Sequence, residues 1–156
     1  MAGKAEQKLA QMGIELPQAP APAANYVPYT IAGNILTISG QVTFGKDGIE
    51  YVGKLGDDMD VETGQQAARL CAINILAQAK AALGDLDRIK QVIKIQGFVN
   101  ATPDFTQHPQ VVNGASDLLA EVLGDAGKHA RAAVGMSSLP LGVAVEVDAV
   151  MEIVSD

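Results

Sequence analysis

Residues 60 to 85, DVETGQQAARLCAINILAQAKAALGD, hold the feature that most constrains this chain: a helix whose apolar face is largely alanine. At 100° per residue, Ala68, Cys71, Ala72, Ile75, Ala79 and Ala82 fall on one stripe. A stripe with so little bulk lets the helix lie close against its partner, and a pleated sheet is flat enough to accept it. Asp60, Glu62 and Thr63 suit the first turn of this helix and Gly84 its end.

Sheet-like segments flank that helix. YVPYTIAGNILTISGQVTF reads as two short strands around a turn at Gly33-Asn34, and after a GKDG turn IEYVGKLG reads as a third. IKQVIKIQGFVNA, 89 to 101, alternates as a strand. A second helix is expected after Asn113 as its N-cap, with Ala115, Leu118, Leu119, Val122 and Leu123 at helical spacing and glycines 124 and 127 ending it. The last two strands lie in HARAAVGMSSLPLGVAVEVDAVMEI, 129 to 153, joined through Pro140 and Gly142. The order is β-β-β-α-β-α-β-β, an α+β fold with a mixed sheet and two helices packed on one face. Ahead of it, residues 3 to 12 can form a short amphipathic helix, and LPQAPAPAAN favours an extended, polyproline-like arm. The expected organisation is an N-terminal helix and arm over 1–24 and a single domain over 25–156.

Bulk properties narrow the function. At 156 residues the chain is long enough for a full core, and 48% hydrophobic with 19% charged residues is ordinary for a compact domain. A net charge of −7, no block of Lys/Arg and 4% aromatics argue against nucleic acid as a partner, because phosphates call for clustered cations and bases for stacking rings. The start of the chain has no apolar run of signal-peptide length and no stretch approaches a membrane span, so a cytoplasmic location and no membrane partner are the expectation. Cys71 is the single cysteine and sits among Ala and Leu, which reads as a buried structural thiol.

Several chemistries drop out quickly. There is no glycine-rich dinucleotide or phosphate loop, so no cofactor is expected. His108 and His129 stand without a cysteine pair or an HExxH spacing, so no metal site is expected. His108, beside Pro109, reads as a surface loop residue; His129, two residues before Arg131, could border a site. Arg131 is the singular residue. It opens a run of small residues, and by alternation shares a strand face with Ala133, Gly135 and Ser137, while Ala144, Glu146 and Asp148 share a face of the next strand. The ordinary reading pairs Arg131 with Glu146 as a cross-strand ion pair. The other is that small neighbours leave room beside a guanidinium for a small anionic ligand.

These residues also carry a resemblance. PYTIAGNILTISGQ, LCAINILAQAKAALGD, IKQVIKIQGFVN, VVNGASDLL and above all ARAAVGMSSLPLGVAVEVDAV resemble the RidA/YjgF family of reactive imine and enamine deaminases, across residues 25 to 154. Arg131, Leu139-Pro140 and Glu146 match its signature in order and spacing. NYVPY, NGASDLL and HARAAVG are similar to a less characterised bacterial branch whose members are often labelled endoribonuclease-like or translation-inhibitor-like.

The resemblance implies a chorismate-mutase-like homotrimer, its sheets facing the centre and three clefts between neighbouring subunits. It implies that Arg131 binds a substrate carboxylate and that Glu146 lies near the attacked carbon. Tyr29, Ser39, Gly40 and Asn113 match pocket positions, with a core or interface tyrosine, a strand-end serine and a helix cap as the ordinary alternatives for Tyr29, Ser39 and Asn113. Ala133 stands where many members carry cysteine, so a thiol role there is absent. The long loop around residues 102–112 bears on which substrate fits. The expected function is hydrolytic deamination of 2-aminoacrylate-like enamines and imines without a cofactor. The alternatives are a trimeric binding module for small carboxylates, or an endoribonuclease and translation inhibitor.

Overall fold

The computed structural model describes residues 2–19 and 25–155; part of the proline-rich arm lies outside them. The elements are α1 (Lys4–Gln11), β1 (Tyr29–Ala32), β2 (Ile35–Gln41), β3 (Phe44–Gly45), β4 (Gly48–Ile49), α2 (Val61–Leu83), β5 (Ile89–Asn100), α3 (His108–Leu123), β6 (Ala130–Met136) and β7 (Val145–Ile153). Five strands form one mixed sheet in the order β1-β2-β7-β5-β6. β5 and β6 are parallel, with α3 as their crossover, and the other neighbours are antiparallel.

α2 starts and stops as its sequence dictates. The Asp60 carboxylate accepts the Thr63 N–H at 2.8 Å, the Thr63 side chain and then this N–H hold that carboxyl below its usual range, and Gly84 ends the helix in the left-handed region at φ 77°. Of the expected stripe, Ala68, Cys71, Ala72, Ile75 and Ala79 are fully buried, and Ala82, in the last turn, is partly buried. α3 crosses α2 closely because Gly114 carries no side chain; a Cβ there would come 2.0 Å from the Gln65 carbonyl oxygen. Both helices cover the same sheet face. Along β7, Val145, Val147, Ala149, Met151 and Ile153 are buried beneath them, while Glu146, Asp148, Val150 and Glu152 face away.

The N-terminal helix is docked rather than loose. Ala5 and Leu9 are buried, the Asp87 carboxylate accepts the Lys4 and Ala5 N–H groups at 2.7 and 2.9 Å, and Glu6 accepts from Lys80 at 2.8 Å and from the Leu86 N–H at 3.0 Å.

Three expectations are corrected. The segment 49–56 is not a strand: β3 and β4 make a two-residue ribbon, Tyr51 turns the backbone to φ 52°, and Val52 and Leu55 keep only isolated bridges. The second long helix begins at His108 with Gln107 as N-cap, so Asn113 lies inside the helix and caps nothing. Pro109 reads as a loop marker in sequence, but in a first helical turn its missing N–H and fixed φ cost nothing. His108 is accordingly a partly buried helix residue, not a surface loop residue.

Candidate functional site

Arg131 lies on the edge strand β6. Its register partner is Ile95, a fully buried residue of the helix-covered face, so the arginine points under α3 rather than onto the open face. Nη1 donates to Ser116 Oγ at 3.1 Å and Nη2 to the Pro109 carbonyl at 3.2 Å. Ser116 is held from its other side by His129, whose Nε2 lies 2.9 Å from Oγ, while Nδ1 lies 2.6 Å from the Gly127 carbonyl. A carbonyl only accepts, so Nδ1 carries a proton. The guanidinium only donates, so Ser116 Oγ accepts from Arg131 while His129 holds the same hydroxyl from its other side. Asn113, at i+4 from Pro109 and i−3 from Ser116, occupies the same helix face. Ala133 follows Arg131 on the same side of β6. Among the described ion pairs, Lys80–Glu6, Lys90–Glu152 and Lys128–Asp125, Arg131 has no part. Among the described residues its charge is met by neutral oxygens.

Glu146 lies on the other face. Its register partner across β5 is Phe98, on the open side of the sheet. The β2–β7 register skips between Ile38 and Gln41, leaving Ser39 and Gly40 together opposite Asp148, a bulge that kinks β2 at this point. A Cβ on Gly40 would come 3.0 Å from the Glu146 carboxyl carbon, so the glycine keeps room for that side chain. Burial and then the nearby Asp148 charge raise the Glu146 carboxyl above its usual range. Asp148 is raised too, chiefly by burial, against the Gln96 N–H and Lys94. A carboxyl that is partly desolvated and close to a second one is suited to taking or giving a proton nearer neutrality.

The predicted residues therefore fall into two groups. Arg131, Asn113 and Ala133 gather beneath α3 at one sheet edge; Ser39, Gly40 and Glu146 gather on the open face. The cross-strand pair between Arg131 and Glu146 does not form within the chain, because the two side chains leave opposite faces of the sheet. Tyr29 joins neither group by its side chain. It pairs in register with Ile38, on the helix-covered face, although its strand is tied to Ser39 through the Ser39 N–H to Pro28 carbonyl bond of 2.9 Å. β1 and β6 are the two edges of the five-stranded sheet. At ~4.8 Å per strand spacing, that puts Tyr29 and Arg131 roughly 19 Å apart.

Ser116 is the residue that sequence reasoning missed. The available signal was a hydroxyl on the same helical face as Asn113, with a histidine two residues ahead of the arginine.

Among the described residues, one cluster has metal-ligand chemistry, Glu6, Asp85 and Asp87, whose oxygens lie within 4.8 Å of one another. Both Asp87 oxygens, Asp85 Oδ1 and Glu6 Oε1 are already engaged by backbone N–H groups and Lys80, so the cluster acts as a staple for α1. Cys71 is fully buried, and desolvation pushes its thiol far above the range of a reactive cysteine.

Fold and residues together define a chain of chorismate-mutase-like architecture. It belongs to the family described as "YjgF/chorismate mutase-like, putative endoribonuclease", which matches residues 6–153. The chain is 49% identical over 152 residues to Protein TCP17 of Trypanosoma cruzi, covering 97% of this chain and 95% of that protein. It is 53% identical to the protein Atu1372 of unknown function from Agrobacterium tumefaciens, with a TM-score of 0.91 over 96% of this chain and 92% of the other. It is 38% identical to "a putative endoribonuclease" from Shewanella oneidensis, with a TM-score of 0.93 over 97% and 100% of the two chains. The trypanosome relative extends the likeness beyond bacteria.

Proposed function

We propose that this chain hydrolyses reactive 2-aminoacrylate-like enamines and imines to 2-keto acids and ammonia, as a homotrimer and without a cofactor. One observation carries the proposal: the Arg131 guanidinium is oriented by Ser116 and Pro109 yet has no carboxylate partner among the described residues. A planar fork held in this way favours a substrate carboxylate over a random surface contact. Glu146 on the opposite face cannot serve the same molecule from the same chain, so the reading requires a neighbouring subunit to supply it. Sheets facing the trimer centre would bring the Ser39, Gly40 and Glu146 group of one subunit toward the Arg131, Asn113 and Ala133 group of the next, with Tyr29 at the rim.

The chemistry then needs little from the protein. The carboxylate on Arg131 orients the C=N carbon, and Glu146 accepts a proton from a water that adds to it. The nitrogen is protonated when water adds (an enamine first takes a proton on its terminal carbon to become this iminium), so the product is a neutral carbinolamine. Glu146 gives the proton it took from water to the amino nitrogen. It then accepts the hydroxyl proton as the carbon–oxygen double bond forms and the carbon–nitrogen bond breaks, and that proton leaves with the ammonia as ammonium.

The test is release of ammonia and keto acid from a freshly generated imino acid, run beside cleavage of RNA and with the assembled mass measured by light scattering. Hydrolysis by a trimer is the expected result. A monomer would overturn the shared cleft, and binding of 2-keto acids by a trimer with no turnover would favour a carboxylate-binding module. RNA cleavage without imine hydrolysis would favour the activity in the relatives' names, against the chain's net charge of −7.

A further inference from the structure

We infer that a cavity at the carboxyl ends of β5 and β6 binds a small anionic group, a carboxylate or a phosphate, through Lys54. The cavity measures about 460 Å³, and Lys54, Phe105, His108, Gly135 and Met136 are among its walls. It lies at the start of the β5–α3–β6 crossover, where β5 ends in Asn100 and α3 begins at His108. Crevices outside the carboxyl ends of parallel strands are where open sheets commonly receive ligands.

The lysine is built into place. Its Nζ donates to Asn100 Oδ1 at 2.7 Å and to the Ser137 carbonyl at 2.5 Å. Asn100 is only 5% exposed, and its Nδ2 donates to the Gly53 and Val143 carbonyls, each at 3.2 Å. Two carbonyls can only accept, so they fix which end of the amide meets the ammonium. A lysine serving solubility would keep its rotamer freedom; here that freedom is given up to neutral oxygens. Two of three N–H donors are used, and no described ion pair includes Lys54. Asp58, the nearby carboxylate, accepts the Lys54 backbone N–H at 2.7 Å. An incoming anion would take the remaining donor and balance the charge.

The rest of the wall suits such a group. The His108 ring stands edge-on to Phe105, with centroids 5.3 Å apart and planes at 88°. A Cβ on Gly135 would come 2.5 Å from His108 Nε2, so the glycine is what admits the imidazole. Gln107 gives α3 no side-chain cap, and the helix dipole adds weakly to the positive potential. Gly135 lies four residues beyond Arg131 on β6, roughly 13 Å at ~3.3 Å per residue, so the cavity is a separate subsite from the carboxylate clamp.

The experiment titrates the isotopically labelled protein with inorganic phosphate and with malonate at constant ionic strength, following backbone amide shifts. Saturable shifts at Lys54, His108, Gly135 and Ser137 are expected. Affinity should fall at least ~10-fold in Lys54→Met, the usual loss for a hydrogen bond to a charged group, and persist in Arg131→Lys. Saturation by phosphate alone identifies a phosphate site and by malonate alone a carboxylate site, and either supports the inference. Shifts that do not saturate, that centre on Arg131 and Ser116, or that survive in a folded Lys54→Met variant overturn it. If Lys54→Met fails to fold, the wild-type shift map decides alone. None of these results depends on imine hydrolysis, so this subsite and the proposed activity stand or fall separately.

Discussion

Replacing Ser116 with alanine asks whether the Arg131 guanidinium is held for a ligand or only rests beside α3. The change removes the 3.1 Å bond to Nη1 and the 2.9 Å bond to His129 in one step, leaving the arginine its 3.2 Å bond to the Pro109 carbonyl. A hydrogen bond to a charged group contributes about 1.5–3 kcal/mol. Water reaches this partly exposed site and replaces some of that, so the low end applies. At 1.4 kcal/mol per factor of ten, affinity for pyruvate should weaken by roughly 5- to 15-fold. The loss belongs to positioning, so kcat/KM for imine hydrolysis should fall by a similar factor, in step with binding. Ser116→Thr keeps the hydroxyl and should recover most of both.

The assay pairs calorimetry of pyruvate binding with single-turnover hydrolysis for wild type, Ser116→Ala and Ser116→Thr, each checked for its thermal midpoint. Unchanged affinity and rate in a folded Ser116→Ala variant would show that Ser116 does not orient the guanidinium. A rate that collapses while affinity holds would refute positioning differently, by making the Ser116–His129 pair part of the chemistry.

Further outcomes follow from the same geometry. Arg131→Lys keeps the charge but loses the planar fork, and should be nearly inactive in a protein of unchanged mass and fold; full activity would return Arg131 to an ordinary surface role. Glu146→Gln should still bind pyruvate while turnover falls by roughly 10²–10⁴. Its pH dependence has a definite sign. Because the folded carboxyl is raised above 4.5, its contribution to stability is present below the unfolded value and lost as pH rises through the folded one. Glu146→Gln should therefore raise the thermal midpoint at pH 7 and not at pH 4, modestly, since the carboxyl is only partly buried. Wild-type turnover should decline as pH falls through the same raised value, and the variant should lack that limb. Cys71 should resist iodoacetamide in the native protein and react on unfolding, because it is fully buried.

The parts of the fold written in local chemistry were legible in the sequence. Asp60 and Gly84 marked the ends of α2, its alanine stripe marked the buried face, and the alternation of β7 marked which valines lie inside. What sequence could not give is the face on which an edge strand lands. Arg131, Ala133 and Gly135 alternate correctly along β6, but only pairing with Ile95, Gly97 and Val99 turns them toward the helices. Glu146 alternates equally well and falls on the opposite side. Short-range spacing makes the two look like partners, and long-range register separates them. The Ser116–His129 contact was hidden for the same reason, since it joins residues 13 apart through the packing of α3 on β6. Asn113 was misplaced by a local ambiguity instead: a proline reads alike in a loop and in a first helical turn.

Opposite faces for Arg131 and Glu146 make a prediction that no single-chain site could share. If each cleft takes its clamp from one subunit and its base from the next, Arg131→Lys and Glu146→Gln disable different halves of it. An Arg131→Lys subunit still carries an intact Glu146 group, and a Glu146→Gln subunit an intact Arg131 group. Unfolded together in equal amounts and refolded as mixed trimers, they should form some clefts in which both halves are intact. With random assembly, half of the clefts receive a working clamp and half of those a working base, so about one quarter of wild-type turnover should return. Each variant refolded alone should stay near its own low rate. Were both residues to act from one chain, every cleft in the mixture would lack one of them and nothing would return. A tag on one variant, with activity measured on the purified heterotrimers, ties any recovery to mixed assembly; there one cleft in three has both halves, so the quarter expected of the whole mixture rises to about one third. Mixed trimers that form and remain as inactive as their parents would refute a cleft shared between subunits.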